Sequence, residues 1–375
     1  MRRKLLGTCL TFILVGMTLN LFIPAKPYSI LTRGSSLHLP STVLERTRSL
    51  ESKEGKGSTW GTSPDLPTTS LTEATADNIT GFVSPDSSFH AITSEIQNAE
   101  DSIYILMYEF YHPELYAALE AAIHRGVSLT IVLENDTGWR NSAGEKDTYN
   151  RYYAYKFYNL SLDYDVHVYL EREYRYLHAK LVVIDNSTAI VMSANMDPGS
   201  IPANLGGEAT DYDTFSRQWG CIIHGADACE QYVWAVENEI RYHATPYNPT
   251  LDGTGEKPDL DELVSYSPIF TTTSRTDVLF TPIFSPNNSF ECLNESIYAA
   301  DHYILLQLMY LSWGAYSSNK VNQLVFALED AVERNVTVMV MLEEDMESYY
   351  NESKVELESR GIYVLPANST SGFPL

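Results

Sequence analysis

A chain of 375 residues with 44 % hydrophobic content carries enough apolar side chains for two ordinary cores, which excludes a wholly disordered polypeptide. Its 25 basic and 49 acidic side chains leave a formal charge of -24, a field that repels polyanions. Tight non-specific nucleic-acid binding is therefore not expected, although one small site can still be locally cationic.

In chain order, Met1-Arg2-Arg3-Lys4 precedes an apolar run from Leu5 to Ile23 that Pro24 ends. Cations ahead of about twenty apolar residues predict an export signal or a single membrane anchor over residues 1–24, with the domains outside the cytoplasm. Residues 25–80, rich in Ser, Thr, Gly and Pro, read as a flexible linker. Asn-x-Ser/Thr sequences begin at Asn78, Asn135, Asn159, Asn186, Asn287, Asn294, Asn335, Asn351 and Asn368, as in an exported glycoprotein or by chance in a Ser/Thr-rich chain. Cys221 and Cys229 either form a bridge or are small buried apolar residues, and the cysteine spacing supplies no metal site.

The periods then alternate over residues 81–246. Ile103–Tyr108 reads as a strand; Pro113 opens a helix whose Leu115, Leu119, Ala122 and Ile123 recur at three and four, and Arg125-Gly126 closes it before the β-branched run Val127–Leu133. That is a βαβ unit, parallel and right-handed. A helix over Tyr149–Leu160, strands at Val166–Tyr169, Leu181–Ile184, Ala189–Ser193 and Trp219–Ile223, and a helix over Ala228–Arg241 follow. The phenol rings Tyr149, Tyr152, Tyr153, Tyr155 and Tyr158 fit amphipathic packing better than a stacking groove. After a connection at 247–270, residues 271–375 repeat the unit: Ala118–Glu134 is paralleled by Ala327–Glu343, and Ser84-Pro85-Asp86 by Ser285-Pro286-Asn287.

The chemistry concentrates around His178-Ala179-Lys180, two residues apart at a strand start, and Ser193-Ala194-Asn195 at the next strand end. Extended geometry points each pair to one side. An imidazole that attacks phosphorus, an ammonium that neutralises its oxygens, and a hydroxyl and an amide that donate hydrogen bonds are what phosphodiester transfer needs, without a metal or other cofactor. Asp185 either joins that site or forms a buried turn. Arg172 and Arg175 are placed to meet a distal phosphate or to pair with Glu171 and Glu173.

The string His178 to Asp185 resembles the H-x-K-x(4)-D motif of the phospholipase D superfamily, continued there by G-S-x-N; Ser193 and Asn195 match, and Met192 replaces the glycine. The resemblance implies an α/β fold, a phospholipase D-like α/β/α sandwich with a duplicated unit, and an active site with one His-Lys pair from each copy. It implies catalytic roles for His178, Lys180, Asp185, Ser193 and Asn195 on a phospholipid or other phosphodiester. Ser216-Arg217-Gln218 takes the place of the family's Asn-Arg-Glu-like stretch, so the resemblance assigns Gln218 to orienting His178. The second copy is incomplete: the position where its histidine would fall holds Pro374. A second pair from a longer chain, a homodimer that joins two His178 residues, and a binding protein without turnover stay open.

Overall fold

The computed structural model describes residues 9–14, 18–23, 73–138, 146, 148–173, 176–203, 215–258, 269–311, 313 and 319–367. The apolar amino-terminal run corrects the first expectation. Its described residues lie in two strands, β1 (Cys9–Leu14) and β2 (Thr18–Ile23). No helix among the described residues is long and apolar enough to cross a membrane, so the anchor and the membrane contact expected there are withdrawn. Arg175, Asn368 and Pro374, on which sequence expectations rest, lie outside the described residues.

Contacts divide the chain into two units, one built mainly from Ser70–Ile283 and the other from Phe284–Pro366. Each has a mixed sheet with flanking helices. The larger unit begins with β3 (Ala74–Ser84), earlier than the linker expectation allowed, because Thr80, Phe82 and Ser84 find partners across the sheet. After α1 (Ser88–Asn98) come β4 (Ser102–Met107), α2 (Pro113–His124) and β5 (Ser128–Glu134). β4 and β5 pair in parallel from Ser102 with Ser128 to Met107 with Leu133, as a βαβ unit requires. Pro113 takes the first turn of α2, and the His112 ring caps it by accepting the N–H groups of Glu114 and Leu115 at 3.2 Å each. Gly126, at φ +101, turns the chain out of the helix in a conformation that a β-carbon disfavours.

Next follow α3 (Tyr149–Leu160), β6 (Val166–Glu171), β7 (Lys180–Ile184), β8 (Thr188–Met192), β9 (Gln218–His224), α4 (Ala226–Tyr242), β10 (Ala244–Pro246), α5 (Pro249–Asp252) and β11 (Thr273–Phe280). The nine strands order as β10-β6-β5-β4-β7-β8-β9-β3-β11. β11 joins this sheet at the β3 edge rather than opening the second unit, since its polar residues pair from Thr273 with Gly81 to Phe280 with Ala74.

One face of the sheet buries Ile103, Ile105, Met107, Ile131 and Leu133 with Ile92, Ile96, Leu115, Leu119 and Phe157 of the helices. Tyr153 is buried in that core and Tyr152, Tyr155 and Tyr158 pack against it, which accounts for the phenol cluster. α4 lies against β3, β4, β7, β8 and β9 from the other side. Cys221 and Cys229 are free and buried, so the alternative of a bridge fails; burial pushes both thiols up to about 12.

The smaller unit runs α6 (Ser289–Ala299), β12 (Tyr303–Leu308), α7 (Asn319–Glu333), β13 (Thr337–Glu343), α8 (Glu347–Ser359) and β14 (Tyr363–Ala367). β12 and β13 pair in parallel, again around one helix, in the order β1-β2-β12-β13-β14. Ile304, Leu306, Val338, Val340 and Leu342 are buried on one face of this sheet.

Candidate active site

Five strands of the larger unit end at one edge of the sheet. Met107 of β4 stands opposite Lys180 of β7, Leu181 opposite Val191 of β8, Met192 opposite Gly220 of β9, and Gln218 opposite Ser84 of β3. The ladder continues one step further, with Tyr108 N–H donating to the Ala179 carbonyl at 3.1 Å and Ser193 N–H to the Trp219 carbonyl at 2.8 Å. Tyr108, Glu109, His178, Lys180, Ser193, Asn195 and Gln218 are therefore gathered by topology alone.

His178 and Lys180 converge on a single ring. The Tyr108 ring centroid lies 4.6 Å from that of His178, and Lys180 Nζ lies 5.0 Å from the same Tyr108 centroid. Lys180 Nζ also donates to the His178 carbonyl at 3.1 Å. The two side chains point to the same side, with Lys180 only 3 % exposed and His178 half-buried. Burial and then the Lys180 charge push the imidazole down to about 3, so it is neutral and has a free electron pair at physiological pH. No hydrogen bond to the His178 ring exists among the described residues.

Burial likewise drops the Lys180 ammonium to about 7, with the charges of Glu109 and Asp197 working against the fall. Asp197 is itself buried, which raises its carboxyl, while Ser200 N–H donates to it at 2.8 Å. Asn195 Nδ2 donates to Glu109 Oε2 at 2.7 Å, and Asn195 Oδ1 is buried with no hydrogen-bond partner among the described residues. Ser193 Oγ donates to Gln218 Oε1 at 2.6 Å and accepts Trp219 N–H at 3.0 Å.

Three expectations need correction. Asp185 lies at the far end of β7, about 16 Å from Lys180 at roughly 3.3 Å per residue. Its carboxylate accepts the N–H groups of Glu100, Asp101 and Ser102 at 2.9, 2.8 and 2.8 Å, so it is the turn-forming residue of the two alternatives. Gln218 does not touch His178; besides Ser193, it donates from Nε2 to Ser216 Oγ at 3.1 Å, because β9 enters the sheet beyond β8 and not beside β7. Arg172 is committed elsewhere, donating to Asp252 Oδ1 at 2.5 Å and to Thr245 Oγ1 at 2.8 Å, since β10 brings Thr245 alongside β6 and the short helix α5 that follows it carries Asp252. Sequence reasoning missed Tyr108, Glu109 and Asp197. Tyr108 closes the predicted strand Ile103–Tyr108 and Glu109 follows it, where the edge of a sheet of this kind places its chemistry.

Residues 92–210 match the family described as Cardiolipin synthase, PLD-like domain. They form a phospholipase D-superfamily domain. His178, Lys180, Ser193 and Asn195 of this phospholipase D-like domain fall inside the match, and Gln218 lies beyond it. The superfamily carries out phosphodiester chemistry. No curated protein matches the chain. Among solved structures, the phospholipase D family member Nuc from Salmonella typhimurium aligns over 47 % of this chain and 99 % of its own, at 18 % identity and a TM-score of 0.36. NucT from Helicobacter pylori aligns over 45 % and 98 %, at 14 % identity and 0.33. Phosphatidylserine synthase from Haemophilus influenzae Rd KW20 aligns over 45 % of this chain and 40 % of its own, at 15 % identity and 0.35. TM-scores below 0.5 mark distant likenesses.

Proposed function

We propose that the phospholipase D-like domain breaks or exchanges a phosphodiester through a phosphohistidine on His178, with a phospholipid as substrate. The carrying observation is the convergence of a neutral, half-buried imidazole and a buried ammonium on the Tyr108 ring. A ring nitrogen of His178 attacks phosphorus as the bond to the leaving alcohol breaks, and that oxygen takes a proton from solvent. Lys180 balances charge on the non-bridging oxygens, a role in which a desolvated cation acts far more strongly than in water. Water or an alcohol then attacks the phosphohistidine, releasing phosphate ester and restoring the ring. A net charge of -24 supports a lipid headgroup over a nucleic-acid strand, because each further phosphate of a polyanion meets an opposing field.

The test uses the full chain with vesicles labelled in the phosphate of phosphatidylcholine and, separately, a labelled oligonucleotide, followed by an alkaline quench that preserves phosphohistidine. Label on His178 and headgroup release from vesicles, both absent in His178→Asn, are expected. Equal turnover by the two proteins refutes the mechanism, and label captured from the oligonucleotide alone refutes the lipid assignment.

A further inference from the structure

Glu134 ends β5 and is 3 % exposed, an expensive place for a carboxyl unless its oxygens are used. Both are. Oε1 accepts Asp136 N–H at 2.7 Å, and Oε2 accepts the N–H of Leu177, the residue immediately before His178. The turn that follows also holds the other half of the ring pair: Tyr108 OH donates to the Thr137 carbonyl. Asn150 Nδ2 ties these parts together, donating to the Tyr108 carbonyl at 2.7 Å and the Glu134 carbonyl at 2.9 Å. One short segment, 134–137, thus grips Tyr108 through its hydroxyl and the His178 backbone through Leu177.

The repeat separates what is local here from what is added. Glu343, the counterpart in the smaller unit, is also buried and accepts the N–H two residues on, from Asp345, at 3.4 Å. The Asp136 bond is therefore a property of the strand end, whereas the Leu177 bond crosses from β5 to the chain entering β7. Burial, with Glu171 and Asp136 adding to it, raises the Glu134 carboxyl to about 7 against the opposing pull of its two N–H bonds.

We propose that Glu134 is the positioning residue for His178: by holding Leu177 N–H it fixes the backbone that carries the nucleophilic ring and keeps that ring against Tyr108. The role deepens the phosphohistidine reading, but its structural arm is independent of turnover. Gln at this position offers one acceptor and one donor, so it leaves a donor facing one of the two N–H groups.

The experiment compares the full chain with Glu134→Gln and Glu134→Asp by amide hydrogen exchange at Leu177, the Tyr108–His178 ring NOE, and kcat and KM. Asp keeps the charge and the local bond and stops short of Leu177. In each variant that melts with wild type, Leu177 exchange is expected to rise by at least roughly tenfold, the ring NOE to vanish, and kcat to fall roughly tenfold with KM within about twofold. Unchanged Leu177 protection or an intact NOE overturns the proposal. So does an unprotected Leu177 amide in wild type, or loss of the fold in both variants, which assigns Glu134 to stability instead. Absence of turnover on every phosphodiester, with the NMR changes present, sinks the phosphohistidine reading and leaves the positioning role standing.

Discussion

Replacing Lys180 with Met should change how stability depends on pH, and the sign follows from burial. In the fold the ammonium titrates at about 7 rather than 10.5, because it is 3 % exposed. At about 1.4 kcal/mol per tenfold change in proton affinity, holding a charged Lys180 costs the fold on the order of 4 to 5 kcal/mol below pH 7. Between the folded and unfolded values the unfolded chain binds a proton that the native state has released, so this residue's contribution to stability rises with pH. From pH 7 to pH 9 the gain is about 2 kcal/mol. Met is apolar and of similar length and has no such term. Glu109 and Asp197 lose their cation in the variant; any resulting rise in their carboxyls makes the variant lose stability as pH climbs, with the same sign for the difference. Urea unfolding followed by tryptophan fluorescence at both pH values gives the result as wild type minus Lys180→Met. A difference that moves by about 2 kcal/mol in favour of wild type supports the reasoning. One that does not change, or moves the other way, refutes the depressed ammonium and with it the picture of a dry phosphate site.

Two further outcomes test the frame around the site. Asp185→Ala removes the acceptor of three backbone N–H groups; urea unfolding should show a loss of about 2 kcal/mol, with turnover per folded molecule within about twofold of wild type. Gly220→Ala places a β-carbon 2.2 Å from the Phe82 ring that lies across this cross-strand pair; a fall of about 1 to 3 kcal/mol in the same assay is expected from overpacking.

Much of the frame was legible because the period of apolar residues switches between elements. Ile103 to Leu133 reads as strand, helix and strand from that alternation and from Pro113 and Gly126 at its joints, and β4, α2 and β5 follow it. β3 and β11 were hidden because their many Thr, Ser, Asp and Asn residues leave no apolar alternation, and the ladder between them is visible only once the chain is folded. At the site, spacing alone placed His178 beside Lys180. Contacts across long separations were beyond its reach: Asp185 serves Glu100 to Ser102, Gln218 serves Ser193, and Glu134 serves Leu177. The apolar stretch ahead of Pro24 misled because hydropathy without a helical fold has no single meaning.

Asn150 belongs to α3, yet its amide also accepts Phe110 N–H at 2.8 Å while donating to the carbonyls of Tyr108 and Glu134. The first turn of a tyrosine-rich helix is thereby bolted to the chain on either side of Glu109 and to the end of β5. The helix is in effect a lever arm. A change on its outer flank that slides it along its axis is transmitted to the aromatic platform under His178, so variation in rate can originate from substitutions that never meet the substrate.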